Sequence, residues 1–185
     1  MGSLSMWHGL TVLLLLVFAI ALVIAAWQTS KRPSPPGVAG PVGFGGWLLL
    51  LLVGQTLAPL RSLGALAQEI QAYNTIRSAY AVPNMDLAEG VEIILVLALV
   101  VFSVVVAIAM YRKRRYFPAL FLWQWVLAVA VSVANLVVPA SLMGIPLRAM
   151  MNAESTASIL AVIIVGGLWV LYVFRSVRVQ NTFVT

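Results

Sequence analysis

Apolar residues in this chain follow neither the stripe of a water-facing helix nor the alternation of a half-buried strand. They fall into five nearly unbroken runs, residues 10–27, 42–60, 93–111, 117–138 and 156–174, bounded by charge, proline or an aromatic. About 20 apolar residues in a helix cross about 30 Å of hydrocarbon, and the runs have that length. Backbone polar groups cannot stay unpaired in lipid, and the alternation of barrel strands is missing, so the runs are predicted as helices. Between residues 60 and 80 the pattern changes. Leu60, Leu63, Ala67, Ile70, Tyr73 and Arg77 recur at helical spacing until Pro83-Asn84 breaks the stripe, which predicts a helix lying on the outer surface or continuing from the second run.

Composition excludes the alternatives. Of 185 residues, 63% are hydrophobic and only 9% charged, with a mean hydropathy of +1.06. A soluble domain carries about 25% charged residues, and a disordered chain lacks the apolar content. The expected fold is all-α: a polytopic membrane bundle with a four-helix core and one additional N-terminal transmembrane helix. Residues 1–28 form the N-terminal anchor. Residues 29–42 form a cytoplasmic linker, stiffened by Pro33, Pro35 and Pro36 and loosened by glycine beyond them, and residues 43–185 form the four-helix domain. The first run has no basic residue before it and a longer apolar core than a cleaved signal peptide, so it reads as a retained anchor.

The net charge of +6 is concentrated at the ends of the runs, which argues for membrane surface and against nucleic acid. Lys31, Arg32, Arg112, Lys113, Arg114, Arg115, Arg175 and Arg178 fall on one side, and Arg61, Arg77 and Arg148 on the other. Basic residues favour the inside, so the N-terminus is expected outside and the C-terminus in the cytoplasm. The cluster from Arg112 to Arg115, with Arg178, then reads as a topology determinant touching anionic lipid, or as a dock for an acidic partner. All five acids lie on or near the outer side, and Glu92 at its lip reads either as a partner for Arg61 on the neighbouring helix or, with Arg61, as one of two separately solvated charges.

Depth along each helix, at about 1.5 Å per residue, brings out one further set. Gln55, Ser103, Gln124 and Gly167 lie seven or eight residues from Trp47, Tyr111, Phe117 and Phe174 respectively. Antiparallel helices would bring two amides, a hydroxyl and the Gly166-Gly167 notch into one layer, about 10 to 12 Å from the cytoplasmic edge. That layer reads as interhelical glue, or as a site for a small solute or lipid headgroup. On the outer side, Leu63, Ile70 and Tyr73 form a stripe that would dock a partner or rest in the lipid interface.

The motifs at the cytoplasmic ends carry a resemblance. Gly45-Gly46-Trp47, Pro59-Leu60-Arg61, the run Arg112-Lys113-Arg114-Arg115-Tyr116-Phe117-Pro118, Trp169-x-x-Tyr172 and Ser176-x-Arg178-Val179-x-x-Thr182-Phe183 follow one another in an order that resembles the YdgK-like family of bacterial inner-membrane proteins. The likeness covers residues 43–184 and leaves the first helix as an addition. It implies a four-helix unit with both ends cytoplasmic, in the bacterial inner membrane, and no assigned activity. Leu171 stands where the family tends to have proline.

Enzyme chemistry has little to stand on. The chain has no cysteine and a single histidine, His8, and no nucleophile with an evident base or carboxylate pair within the runs. Met85, Met143, Met150 and Met151 match no Cu(I) repeat, and no cofactor is expected. The expected function is therefore a non-catalytic membrane module, an accessory or assembly subunit or a binder of lipid or of a membrane-protein partner. The alternative is a small-solute or lipid transporter working through Gln55, Ser103 and Gln124.

Overall fold

The computed structural model describes residues 40–80 and 82–184. The predicted first helix and most of its linker lie outside them. The described chain folds into helices α1 (Trp47–Ala79), α2 (Met85–Tyr111), α3 (Phe117–Met143), α4 (Leu147–Met150), α5 (Ala153–Arg175) and α6 (Val177–Thr182). Four of them, α1, α2, α3 and α5, are long and apolar enough to cross a membrane, so the expected all-helical bundle of four membrane-length helices is present among the described residues.

Hydropathy misjudges the length of α1. The apolar run ends near Leu60, but the helix passes through Pro59 and Arg61 without interruption to Ala79. Hydropathy reports lipid contact, whereas a helix continues wherever its residues favour it, and Leu, Ala, Gln, Glu and Arg beyond Pro59 do. The outer stripe is thus the continuation of the second run. At 1.5 Å per residue the 33 residues of α1 span about 50 Å, so its last turns project past a hydrocarbon core of about 30 Å.

The reversals between helices are set by local chemistry. Lys113, at φ +53°, turns the chain between α2 and α3, and the Arg114 amide reaches back to the Ala109 carbonyl at 3.0 Å. Asn84, the N-cap of α2, sends its side-chain amide across to the Leu142 carbonyl at 3.0 Å and ties the start of α2 to the end of α3. Asn152 and Ser155 close a reciprocal capping box at the start of α5.

In order of packing, α1 lies on α2, α2 on α3, and α3 on α5. The core sits at one end of this arc, here termed the basic end because Arg112, Lys113, Arg114 and Arg115 border it. Leu48 and Leu52 of α1, Val106 and Met110 of α2, Phe117 of α3 and Val173 of α5 are buried together there. The C-terminal segment closes that end. Phe183 stacks on Phe117 with ring centroids 4.4 Å apart and meets Phe44 edge-on at 6.3 Å. Beneath it, the Thr182 hydroxyl accepts the Gly43 amide at 2.9 Å and donates to the Arg178 carbonyl at 2.6 Å. The motif Ser176-x-Arg178-Val179-x-x-Thr182-Phe183 is therefore a plug, with Val179, Thr182 and Phe183 all buried. Trp47 and Trp169, centroids 6.4 Å apart, bring α1 and α5 together at this same end.

Candidate functional site

Away from the plug the arc opens. Between α1, α2, α3 and α5 lies a cavity of about 780 Å³, within the roughly 300–1,000 Å³ of small-molecule sites. It runs from the polar layer toward the acidic end, where Glu69 and Glu92 stand.

The layer read from the sequence is assembled. The Gln55 side-chain amide donates to Gln124 Oε1 at 2.8 Å and to the Ser103 carbonyl at 3.2 Å. Gln124 in turn donates to Ser103 Oγ at 3.0 Å, and Ser103 Oγ donates to the Leu99 carbonyl at 2.8 Å. Gln55 and Ser103 are buried, while Ser103 and Gln124 form the floor of the cavity. The glycine notch serves a different contact. Gly166 and Gly167 face the Trp125 indole, whose N–H donates to the Val162 carbonyl at 3.1 Å, so they set the α3–α5 packing.

Above the floor, the walls carry small or polar positions at helical spacing: Ala58, Arg61, Ser62 and Glu69 on α1; Ala128, Ser132 and Asn135 on α3; Ser155 and Ser158 on α5. Between them stand Leu57, Leu66, Val96, Leu99, Val131 and Ile159, so the lining is mostly apolar with polar groups in register.

The acidic rim is the part that sequence reasoning missed. Glu92 is 8% exposed, and both the Glu69 carboxyl and the Tyr73 hydroxyl interact with its carboxyl. Glu69 Oε2 is buried without a hydrogen-bond partner. Asn135 Oδ1 is a second buried acceptor without a donor on the same cavity. Two carboxyl groups in contact repel unless a proton or another cation stands between them. Only the helical continuation of α1 brings Glu69 to Glu92. The available signal was the i, i+4, i+8 spacing of Arg61, Ala65 and Glu69, which puts the acid on the face of α1 that Arg61 shares.

Of the two readings of Arg61 and Glu92, the ion pair does not form. Both residues line the cavity, but α1 carries Arg61 about 12 Å below Glu69 along its axis, and Glu92 meets Glu69 and Tyr73 instead. Arg61 has no ion-pair partner among the described residues. The outer ion pairs belong to Arg77, 2.6 Å from Asp86 and 2.5 Å from Glu89, which clamps the end of α1 to the start of α2. The stripe of Leu63, Ile70 and Tyr73 is not a single free face: Leu63 is exposed, Ile70 is half-buried, and Tyr73 interacts with Glu92. At the basic end Arg112, Arg114 and Arg115 are exposed and Arg178 is half-buried. Lys113 differs from its neighbours, its ammonium 5.5 Å from the centroid of the Phe44 ring.

Residues 41–184 match the model of a family described as a protein of unknown function. No curated protein matches the chain, and no solved structure does.

Proposed function

The chain belongs to the DUF2569 family, whose members have no assigned function, and from that premise we propose that it is a non-catalytic binding module of the membrane, holding one amphiphilic, lipid-like molecule in its cavity. The observation that carries this reading is the cavity itself. It is walled mostly by apolar side chains, floored by a hydrogen-bond network, and ends in charged groups at one rim. An apolar tail fits the walls and a polar head fits the rim. The narrower YdgK-like resemblance and the clustering of basic residues support the bacterial inner membrane, with the basic end at the cytoplasmic face against anionic lipid. An accessory role beside another membrane protein is compatible with the same site, since a bound lipid can be presented to a neighbour.

Gly54 supplies the test. It lines the cavity, and a Cβ placed there meets nothing within 4 Å. Gly54→Leu therefore projects an apolar side chain into the site from a position open at Cβ and also favours the helix by up to about 1 kcal/mol. Native mass spectrometry of protein released from native lipid particles should show a retained amphiphile on the wild-type chain and its loss from Gly54→Leu, with thermal stability kept or raised. Equal retention by the two overturns the reading.

Transport is a second reading, favoured by one observation: the Gln55, Ser103 and Gln124 network separates the cavity from the plug. Under that reading the double variant Gln55→Leu/Gln124→Leu keeps its fold but loses solute or lipid movement in reconstituted vesicles.

A further inference from the structure

The rim is not uniformly acidic: its charges are ordered by depth. Counted from the basic end at about 1.5 Å per residue, Arg61 and Ser62 on α1 and Ser132 on α3 lie about 21 to 23 Å along their helices. Asn135 on α3, Glu92 on α2 and Glu69 on α1 lie about 27 to 33 Å along theirs. All six line the one cavity. Cation and hydroxyls therefore form a deeper shelf, and carboxyls with an amide oxygen form an outer one. The two groups without donors, Glu69 Oε2 and Asn135 Oδ1, come from different helices and both belong to the outer shelf.

Resting on the reading that the cavity holds an amphiphile, we infer that the amphiphile is a zwitterionic aminophospholipid of the phosphatidylethanolamine class, with its phosphate on Arg61 and its primary ammonium among Glu69, Glu92 and Asn135. The order matches the molecule: acyl chains against Leu57, Leu99 and Val131, phosphate above them, ammonium outermost. A primary ammonium brings three N–H donors and one positive charge. It relieves the repulsion between the two carboxyls and supplies the donors that Glu69 Oε2 and Asn135 Oδ1 lack. A single proton shared by the carboxyls leaves the Asn135 oxygen unpaired. A choline head carries the charge but no N–H, and a glycerol head brings donors without charge while its phosphate adds a negative one. Arg61, lacking an ion-pair partner among the described residues, is the cation placed for the phosphate. Arg77 is already engaged by Asp86 and Glu89 and does not compete for the carboxyls. The chains have a way in, because α5 packs along α3 and its ring contact with α1 lies at the basic end, leaving their outer halves apart.

The experiment offers the full chain an equimolar mixture of phosphatidylethanolamine, phosphatidylcholine and phosphatidylglycerol with identical acyl chains and reads retained lipid by native mass spectrometry. Phosphatidylethanolamine should be retained about tenfold over each of the others, the scale of one charge-assisted hydrogen-bond set. The isosteric double variant Glu69→Gln/Glu92→Gln should reduce that preference to parity with phosphatidylcholine, and Arg61→Gln should weaken both phospholipids together. Equal retention of phosphatidylglycerol, or a preference unchanged in the double glutamine variant, overturns the assignment. Glycerophosphoethanolamine, the head without chains, should compete poorly, and competition as strong as that of the whole lipid assigns the site to a free solute and overturns the lipid. A wild-type chain that retains no amphiphile of any kind defeats the underlying reading, whereas retention without head-group preference defeats this inference alone.

Discussion

Gly166 has no room for a side chain, because a methyl group there would overlap Cδ1 of Trp125, while at Gly167 the nearest indole atom would be 3.7 Å away. Gly166→Ala should therefore cost about 1 to 3 kcal/mol through overpacking, and Gly167→Ala less than about 0.5 kcal/mol. Thermal unfolding with tryptophan fluorescence separates the two, since only the first variant moves Trp125 from its bond to Val162. The amides behave differently. Gln55→Leu alone leaves Gln124 Oε1 without its donor and should destabilise the bundle by about 1 to 3 kcal/mol, whereas the double Gln55→Leu/Gln124→Leu variant should be milder because both partners go together. The amide layer was legible in the sequence because counting residues from an aromatic at the membrane edge is a one-dimensional measurement. The Glu69–Glu92 contact was not, since it depends on how two helices rotate about their axes, which hydropathy does not encode. Asn135 escaped for the same reason, although Gln124, Ala128, Ser132 and Asn135 already marked one face of α3.

At the scale of an element, α6 decides how firmly the basic end is held. Phe183 is buried between Phe117 and Phe44, so Phe183→Ala should cost about 3 to 5 kcal/mol, and Thr182→Val, which deletes the acceptor for the Gly43 amide, about 1 kcal/mol. Chemical or thermal unfolding in detergent checks both, with Val184→Ala, at an exposed position, as the neutral control. The four long helices could be read from apolar runs because lipid contact demands such runs. The true extent of α1 could not, because its last turns leave the hydrocarbon and helical propensity alone then sustains them. The role of α6 was visible only as a motif, since six residues carry too little periodicity to declare a packing face.

Across the whole molecule, the depth order of the side chains predicts accessibility. The chain contains no cysteine, so single cysteines report without background. Cysteine at Ser62 or Ser158, on the cavity wall, should react readily with a hydrophilic maleimide, and cysteine at Leu48, fully buried beneath the plug, should react only on unfolding. Labelling should slow at Ser62 when the cavity is occupied. Equal reactivity at Ser62 and Leu48 would mean that the basic end is as open as the acidic one.

The aromatic contact between Trp47 and Trp169 gives the pair α1 and α5 the geometry of tweezers: joined to each other at the basic end, and held at the acidic end each by its own neighbour, α1 by the Arg77 clamp to α2 and α5 by α3. Ser155 lies 14 residues from Trp169, about 21 Å along α5, so a tilt of about 5° at the hinge moves the jaw by roughly 2 Å while the rings hardly shift. Leverage of this kind lets the aperture at the acidic end change by about 2 Å at the cost of small torsions, and it places the stiffness of the molecule at the opposite end from its gape.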